Sequence, residues 1–277
     1  MTSFYVLPTL EDWSETKATL HAYSKVVGAL SRTHAIAHPK WWHISLKVVP
    51  DGLMTDTMAL PDGEIFALKM NMLAHSVELN VSNGSSYSWL MDQNWTASHL
   101  ADQIFGTVES LGLKGKYARQ KFANEEPRTY DHGHAERFFS ILVNVEQAFR
   151  RHRAGLPGTV GPVQFWPHGF DLSFEWFGTR QIEFEEHGQK STFLSQINLG
   201  FSPGESSHPE PYFYSNPFPF EREHLAHPLP HGARWFTEGW QGSLLEYASL
   251  AGSPDGLQKV ADYAKAVFDL ASPGLMV

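Results

Sequence analysis

The sequence predicts an α+β protein, and three observations carry that prediction. Apolar residues recur at helical spacing in four separate segments. Period-two alternation fills the stretches between them. Turn signals such as Pro50-Asp51-Gly52 and Asn83-Gly84 link neighbouring alternating runs. Strands joined by hairpins, with helices segregated from them, give mainly antiparallel sheet covered by helices on one face.

A short apolar piece, Phe4 to Leu7, reads as an edge strand before Pro8. Asp12 and Glu15 sit three apart, as in a capping box with Asp in place of Ser or Thr. Leu20, Tyr23, Val27 and Leu30 then share one face, which predicts a helix over 13–34 that Pro39 excludes from continuing. Trp42, Ile44, Leu46 and Val48 alternate with Trp41, His43, Ser45 and Lys47, the pattern of a strand with one apolar face. Further strands are expected at about 53–59, at 64–72 with Phe66, Leu68, Met70 and Met72 aligned, and through Val77, Leu79 and Val81. The Asn83-Gly84 hairpin leads into Tyr87 and Trp89. Thr96 caps a helix whose Leu100, Ile104, Val108 and Leu111 share a face, and Gly112 ends it.

Residues 113–130 are polar, carry Lys114, Lys116, Arg119 and Lys121, and read as a solvated linker. The second half repeats the theme. Ala135, Phe138, Leu142, Val145, Phe149 and His152 form a helical stripe. Strands are expected at 170–176, at about 180–186 and at about 192–201. Ser253-Pro254 reads as an N-cap with Pro at the first helical position, before Leu257, Val260, Ala264 and Val267. Trp42–Val48 lies against Phe170–Trp176 with apolar positions matched and Ser45 facing Ser173. The expectation is therefore two similar α-β(4)-α halves: 1–112 as a first repeat, 113–130 as linker, and 131–277 as a second repeat. By analogy this order looks helix-grip-like, an analogy of fold that gives no function. Residues 202–234 have no counterpart in the first half, and their Pro and aromatic content suggests a loop insertion that closes over the body.

Composition narrows the function classes. The 21 basic and 30 acidic residues leave a formal net charge of −9, which argues against nucleic acid or an anionic membrane as main partner. No apolar run spans a bilayer, and Met1-Thr2-Ser3-Phe4 lacks the basic and apolar regions of a secretory signal. The absence of cysteine excludes disulfides and thiolate chemistry and fits a cytoplasmic protein. No Walker loop, dinucleotide-binding turn or Gly-x-Ser-x-Gly elbow is present. The 15 His and the 9 Trp, 9 Tyr and 19 Phe supply acid/base groups and pocket walls, or equally an aromatic core with surface histidines.

Several pieces resemble a bacterial family of uncharacterised proteins that carry a domain of unknown function. They are Leu7-Pro8 before Trp13, Thr19-Leu20-His21, Trp41-Trp42-His43, Tyr130-Asp131 before Arg137-Phe138, Phe165-Trp166 before Phe170-Asp171-Leu172, and Pro209-Glu210-Pro211 before Phe213-Tyr214. The resemblance implies one unit of nearly the whole chain and carries over no activity or residue role.

The candidate catalytic pair is His43 and Asp171, which the comparison of the halves places at equivalent positions; an Asp–His pair orients an imidazole and raises its pKa. His21, Trp41, Trp166, His168, Glu210, Tyr212 and Tyr214 are the candidate ligand-binding residues, whereas Trp42 reads as core with Ile44 and Leu46. The leading expectation is binding of a small organic molecule in an aromatic, His-lined pocket between the halves, with catalysis left open. Two alternatives stand beside it. One is a metal-dependent hydrolase or oxygenase using two histidines and a carboxylate, although no spacing here fits a metal motif. The other is an interaction module that uses the 202–234 loop, exchanged within a homo-oligomer. The sequence specifies no cofactor.

Overall fold

The computed structural model describes residues 6–186 and 189–276, the side chains of 184–190 excepted. Among the described residues, four α-helices and two antiparallel sheets make an α+β protein. The chain divides into two compact units. The first holds Leu10–Leu142 and Gln164–Phe170; the second holds the residues up to Thr9, Val143–Val163 and Asp171 onward.

In the first unit, α1 (Ser14–His34) buries Leu20, Tyr23, Val26, Val27 and Leu30 along one stripe, as its periodicity requires. The capping box is not formed. Asp12 takes a left-handed conformation (φ 52°) and Trp13 occupies the cap position without a side-chain bond. The sheet contains β1 (Lys47–Val49), β2 (Gly52–Met54), β3 (Met58–Ala59), β4 (Ile65–Asn71), β5 (Ser76–Val81) and β6 (Ser86–Leu90). Its order is β1-β2-β4-β5-β6, with β3 beside β4. Leu68 faces Leu79 and Met70 faces Val77 across β4 and β5, and all four are buried. Helix α2 (Ala97–Ser110) begins where Thr96 accepts the His99 N–H at 3.0 Å. It ends at Gly112, whose φ of 87° lets the Leu113 N–H reach the Val108 carbonyl. Helix α3 (His132–Ala154) contributes Phe138 to this unit, packed on Trp13 and Phe170.

The strand expected over 42–48 is a correction. Trp41 adopts a left-handed conformation (φ 60°), Trp42–Ile44 form a 3-10 turn, and β1 begins only at Lys47. Local hydrogen bonds outcompete the alternation. The Trp41 N–H bonds the His38 carbonyl at 2.9 Å, and the Ser45 hydroxyl donates to the Trp42 carbonyl at 2.7 Å. Trp42–Val48 and Phe170–Trp176 are therefore not matching strands. Residues 113–130 are not simply solvated either. Tyr117 stacks on Phe105 at 3.8 Å, Arg119 pairs with Asp102 at 2.7 Å, and Phe122 is buried.

The strand β8 (Gln164–Trp166) belongs to the first unit, where Leu46 and Phe165 exchange backbone hydrogen bonds of 2.8 and 2.9 Å. The second unit builds its sheet from β7 (Thr159–Val160), β9 (Asp171–Glu186), β10 (Gln189–Ser202), β11 (Tyr212–Phe218), β12 (Arg234–Phe236) and β13 (Gly242–Glu246), ordered β12-β13-β11-β10-β9-β7. Phe149 packs against Phe174 and Phe213 in its core. Helix α4 (Gly256–Ala271) starts after Asp255, two residues later than the Ser253-Pro254 signal, because Ser253 spends its hydroxyl on the Asp255 carboxylate.

Two further expectations are corrected here. The strands at 170–176 and 180–186 are one strand: Gly178 does not break it but admits the Leu275 carbonyl, onto which a Cβ would collide. The loop 202–234 contains β11, which lies inside the sheet between β10 and β13. The Tyr212/Tyr214 alternation is that of a strand. Of the expected Phe4–Leu7 strand, Phe4 and Tyr5 lie outside the described residues; Leu7 is buried but in no strand. Among the described residues, no helix is long and apolar enough to cross a membrane.

Candidate functional site

Helix α1 presents two adjacent stripes to the segment 166–168. On the first, His21 Nε2 donates to the His168 carbonyl at 3.1 Å, and Ser24 is placed 3.4 Å from the Pro167 carbonyl. One turn on, Gly28 faces the Pro167 ring, which a Cβ there would meet at 3.0 Å. The positions 21, 24 and 28 thus hold the turn close against the helix. The second stripe, Lys25, Ala29 and Arg32, lines a cavity of about 290 Å³. Ile44, Ala118, Phe122, Lys121, Pro167 and His168 complete its walls.

Each wall segment is fixed from outside. The Leu46–Phe165 bridge sets Ile44 beside Pro167. Residues 117–122 are held on α2 by the Tyr117–Phe105 stack and the Arg119–Asp102 pair, and on α1 by the Tyr117 hydroxyl 2.9 Å from His34 Nε2. Arg32 lies 5.4 Å over the Trp41 ring, a cation–π contact that limits where its guanidinium points.

The electrostatics follow from this packing. Burial lowers the Lys25 pKa. Burial also lowers that of His168, and Arg32, Lys121 and Lys25 add to the effect. His21 is brought down to about 4 by burial and by Lys25, so it is neutral at pH 7 and stacks on Phe170 at 5.0 Å. His43 is lowered by burial, then by Arg32 and His38; its Nδ1 accepts the His38 N–H at 3.1 Å, which leaves Nε2 as the protonated nitrogen.

Of the residues singled out from sequence, His21, Trp41, His43, Trp166 and His168 belong to this unit. Trp41 is 55% exposed and stacks on His43 at 5.6 Å, whereas Trp166 is buried against the His168 ring. Asp171, Glu210, Tyr212 and Tyr214 belong to the second unit. There the Tyr214 hydroxyl donates to Asp171, whose pKa burial pushes up to about 6 against the opposing pull of that bond. Tyr212 donates to Glu205 at 3.3 Å and packs edge-on against His208, which pairs with Glu246 at 3.1 Å. Glu210 is exposed.

Sequence reasoning missed Lys25, Ala29, Arg32, Lys121 and Phe122. The i, i+4, i+7 spacing on α1 was the available signal. It also missed a polar cluster in the same unit, in which the His75 and His132 rings stack at 3.7 Å. His75 meets the Tyr130 hydroxyl at 3.0 Å and Glu136 at 3.3 Å, and His132 meets Asp92 at 3.0 Å. No local motif announces that cluster, because its members come from three distant segments. Among the described residues, no group of three or more His, Asp or Glu side chains is placed to hold a metal ion.

Fold and site together define an α+β protein of two antiparallel-sheet units, one of which carries a cavity rimmed by cations. The chain belongs to a family of unknown function, DUF5996, whose model matches residues 6–274. Comparison with curated proteins and with solved structures gives no match.

Proposed function

We propose that this chain binds a small organic molecule in the first-unit cavity. The observation that carries the reading is convergence. Helix α1, the 3-10 turn at Ile44, the 118–122 segment and the Pro167-His168 turn come from four stretches of sequence and enclose one concavity with apolar walls. Its volume of about 290 Å³ lies at the small end of ligand sites. His168 is the one imidazole on the lining, and any proton transfer at this site falls to it. Trp41 and His43 flank the cavity through their contacts with Arg32 and Ile44. Asp171, Tyr212 and Tyr214 stay outside this reading.

The test compares native and denatured mass spectra of purified protein with those of Ala29→Trp, in which the indole fills the cavity. The expected outcome is a small-molecule adduct, or millimolar fragment binding by ligand-observed NMR, that the variant loses while it keeps its far-UV spectrum. Equal binding by a folded variant would remove the cavity from the function. The metal-dependent reading gains no donor set among the described residues, and the interaction reading must accommodate a segment whose core strand is built into the sheet.

A further inference from the structure

The cavity lining contains three cations and no carboxylate. Lys25 and Arg32 stand one turn apart on α1, and Lys121 comes from the segment packed on α2. None of the three forms an ion pair among the described residues, although the chain has 30 acidic residues against 21 basic ones. Several other cations are paired: Lys69 with Asp51 and Glu78, Arg119 with Asp102, Arg180 with Glu221, Arg234 with Glu246. Among the described residues the cavity's three are not, and no acidic side chain lines the cavity beside them. Their isolation around an apolar concavity is the arrangement of a site that receives its counter-charge from outside.

Resting on the reading that the cavity is a ligand site, we propose that its ligand is a small organic anion. An acidic head group meets Arg32, Lys25 and Lys121, and an apolar body of about ten non-hydrogen atoms lies against Ala29, Ile44 and Phe122. The physical argument has three parts. First, Lys25 is partly withdrawn from water with no partner, and its charge is disfavoured there; a bound anion removes that penalty. Second, Arg32 is held over Trp41, so its planar fork is oriented before the ligand arrives, and less entropy is lost on binding. Third, neutral His168 at the rim hydrogen-bonds an acidic head group without itself adding charge. A head group of this kind is a carboxylate or a phosphate monoester.

The test uses probes that share one body and differ in charge: benzoate, phenyl phosphate and benzyl alcohol, titrated into the full chain and followed by NMR. Binding is expected to be at least about ten-fold tighter for one or both anions than for benzyl alcohol. Arg32→Gln should lower anion affinity by about ten-fold or more and leave benzyl alcohol unchanged. Because Arg32 is exposed, the variant should melt with the wild type, which separates a lost contact from a lost fold. If benzyl alcohol binds as well as the anions and Arg32→Gln changes nothing, the anion proposal is overturned while the ligand-site reading survives. If no probe binds the wild type at millimolar concentration, both fall. A preference for phenyl phosphate over benzoate, or the reverse, identifies the head group and supports the proposal either way.

Discussion

His21 and Asp171 are both largely withdrawn from solvent, and they tilt the stability of the chain in opposite directions over the same pH range. His21 has a folded pKa of about 4 against an unfolded value near 6.5. Between those values the unfolded chain binds a proton that the folded chain refuses, so stability rises with pH and is lost as pH falls through the window. Asp171 has a folded pKa of about 6 against 3.8. Here the folded chain holds the proton, so stability falls as pH rises from about 4 to 6. Asp171→Asn keeps an acceptor for the Tyr214 hydroxyl and removes the charge. It should stabilise the protein at pH 7 by about 1–3 kcal/mol. His21→Asn keeps a donor for the His168 carbonyl and should flatten the acid side of the profile. Melting temperatures from pH 4 to 7 decide the matter: parallel curves for wild type and either variant would show that the group does not titrate as placed. His43 and His168 were conspicuous in the sequence because each lies within two residues of a tryptophan. Lys25, Arg32 and Lys121 were not, since an unpaired lysine looks the same in sequence as a solvated one.

At the level of the element, the strand β11 shows how a packed segment was mistaken for a loop. Five prolines and a run of aromatics between 202 and 220 mimic an irregular arm, yet Tyr212, Phe213 and Ser215 sit in register with both β10 and β13. Gly200 is opposite Tyr214 in the ladder, and the Tyr214 ring lies over the space its side chain would occupy. A methyl group at 200 would overlap the ring. Gly200→Ala should therefore displace Tyr214 from Asp171 and destabilise by about 1–3 kcal/mol, and the loss should shrink in the Gly200→Ala/Tyr214→Ala double variant. Additive losses in that cycle would show that the glycine serves something other than room for the ring. Periodicity located α1, α2, α3, β4, β5 and the Asn83-Gly84 hairpin because each makes its bonds within itself or to a chain neighbour. It failed at 42–48, where a proline turn and the Ser45 hydroxyl supply the backbone with nearer partners than a sheet.

Across the whole molecule, net charge and site charge have opposite signs. A formal charge of −9 repels polyanions at long range, whereas the three cavity cations form a local positive cluster whose reach is limited by screening. The chain should thus show no mobility shift of single- or double-stranded DNA at physiological salt; salt-sensitive retention of DNA would show that the basic cluster is an open surface and not a ligand site. What the sequence determined by itself is the α+β class, the helical stripes, the hairpin, the exclusion of thiol chemistry and membership of one family over nearly the full length. These rest on composition and on contacts within a few residues. The tertiary structure alone decided which histidines and cations share a cavity, that 117–122 forms a wall, and that β11 is interior. Each of those facts depends on segments distant in the chain meeting. A residue's spacing from its neighbours records which face of its own element it occupies; it carries no record of what that face is packed against.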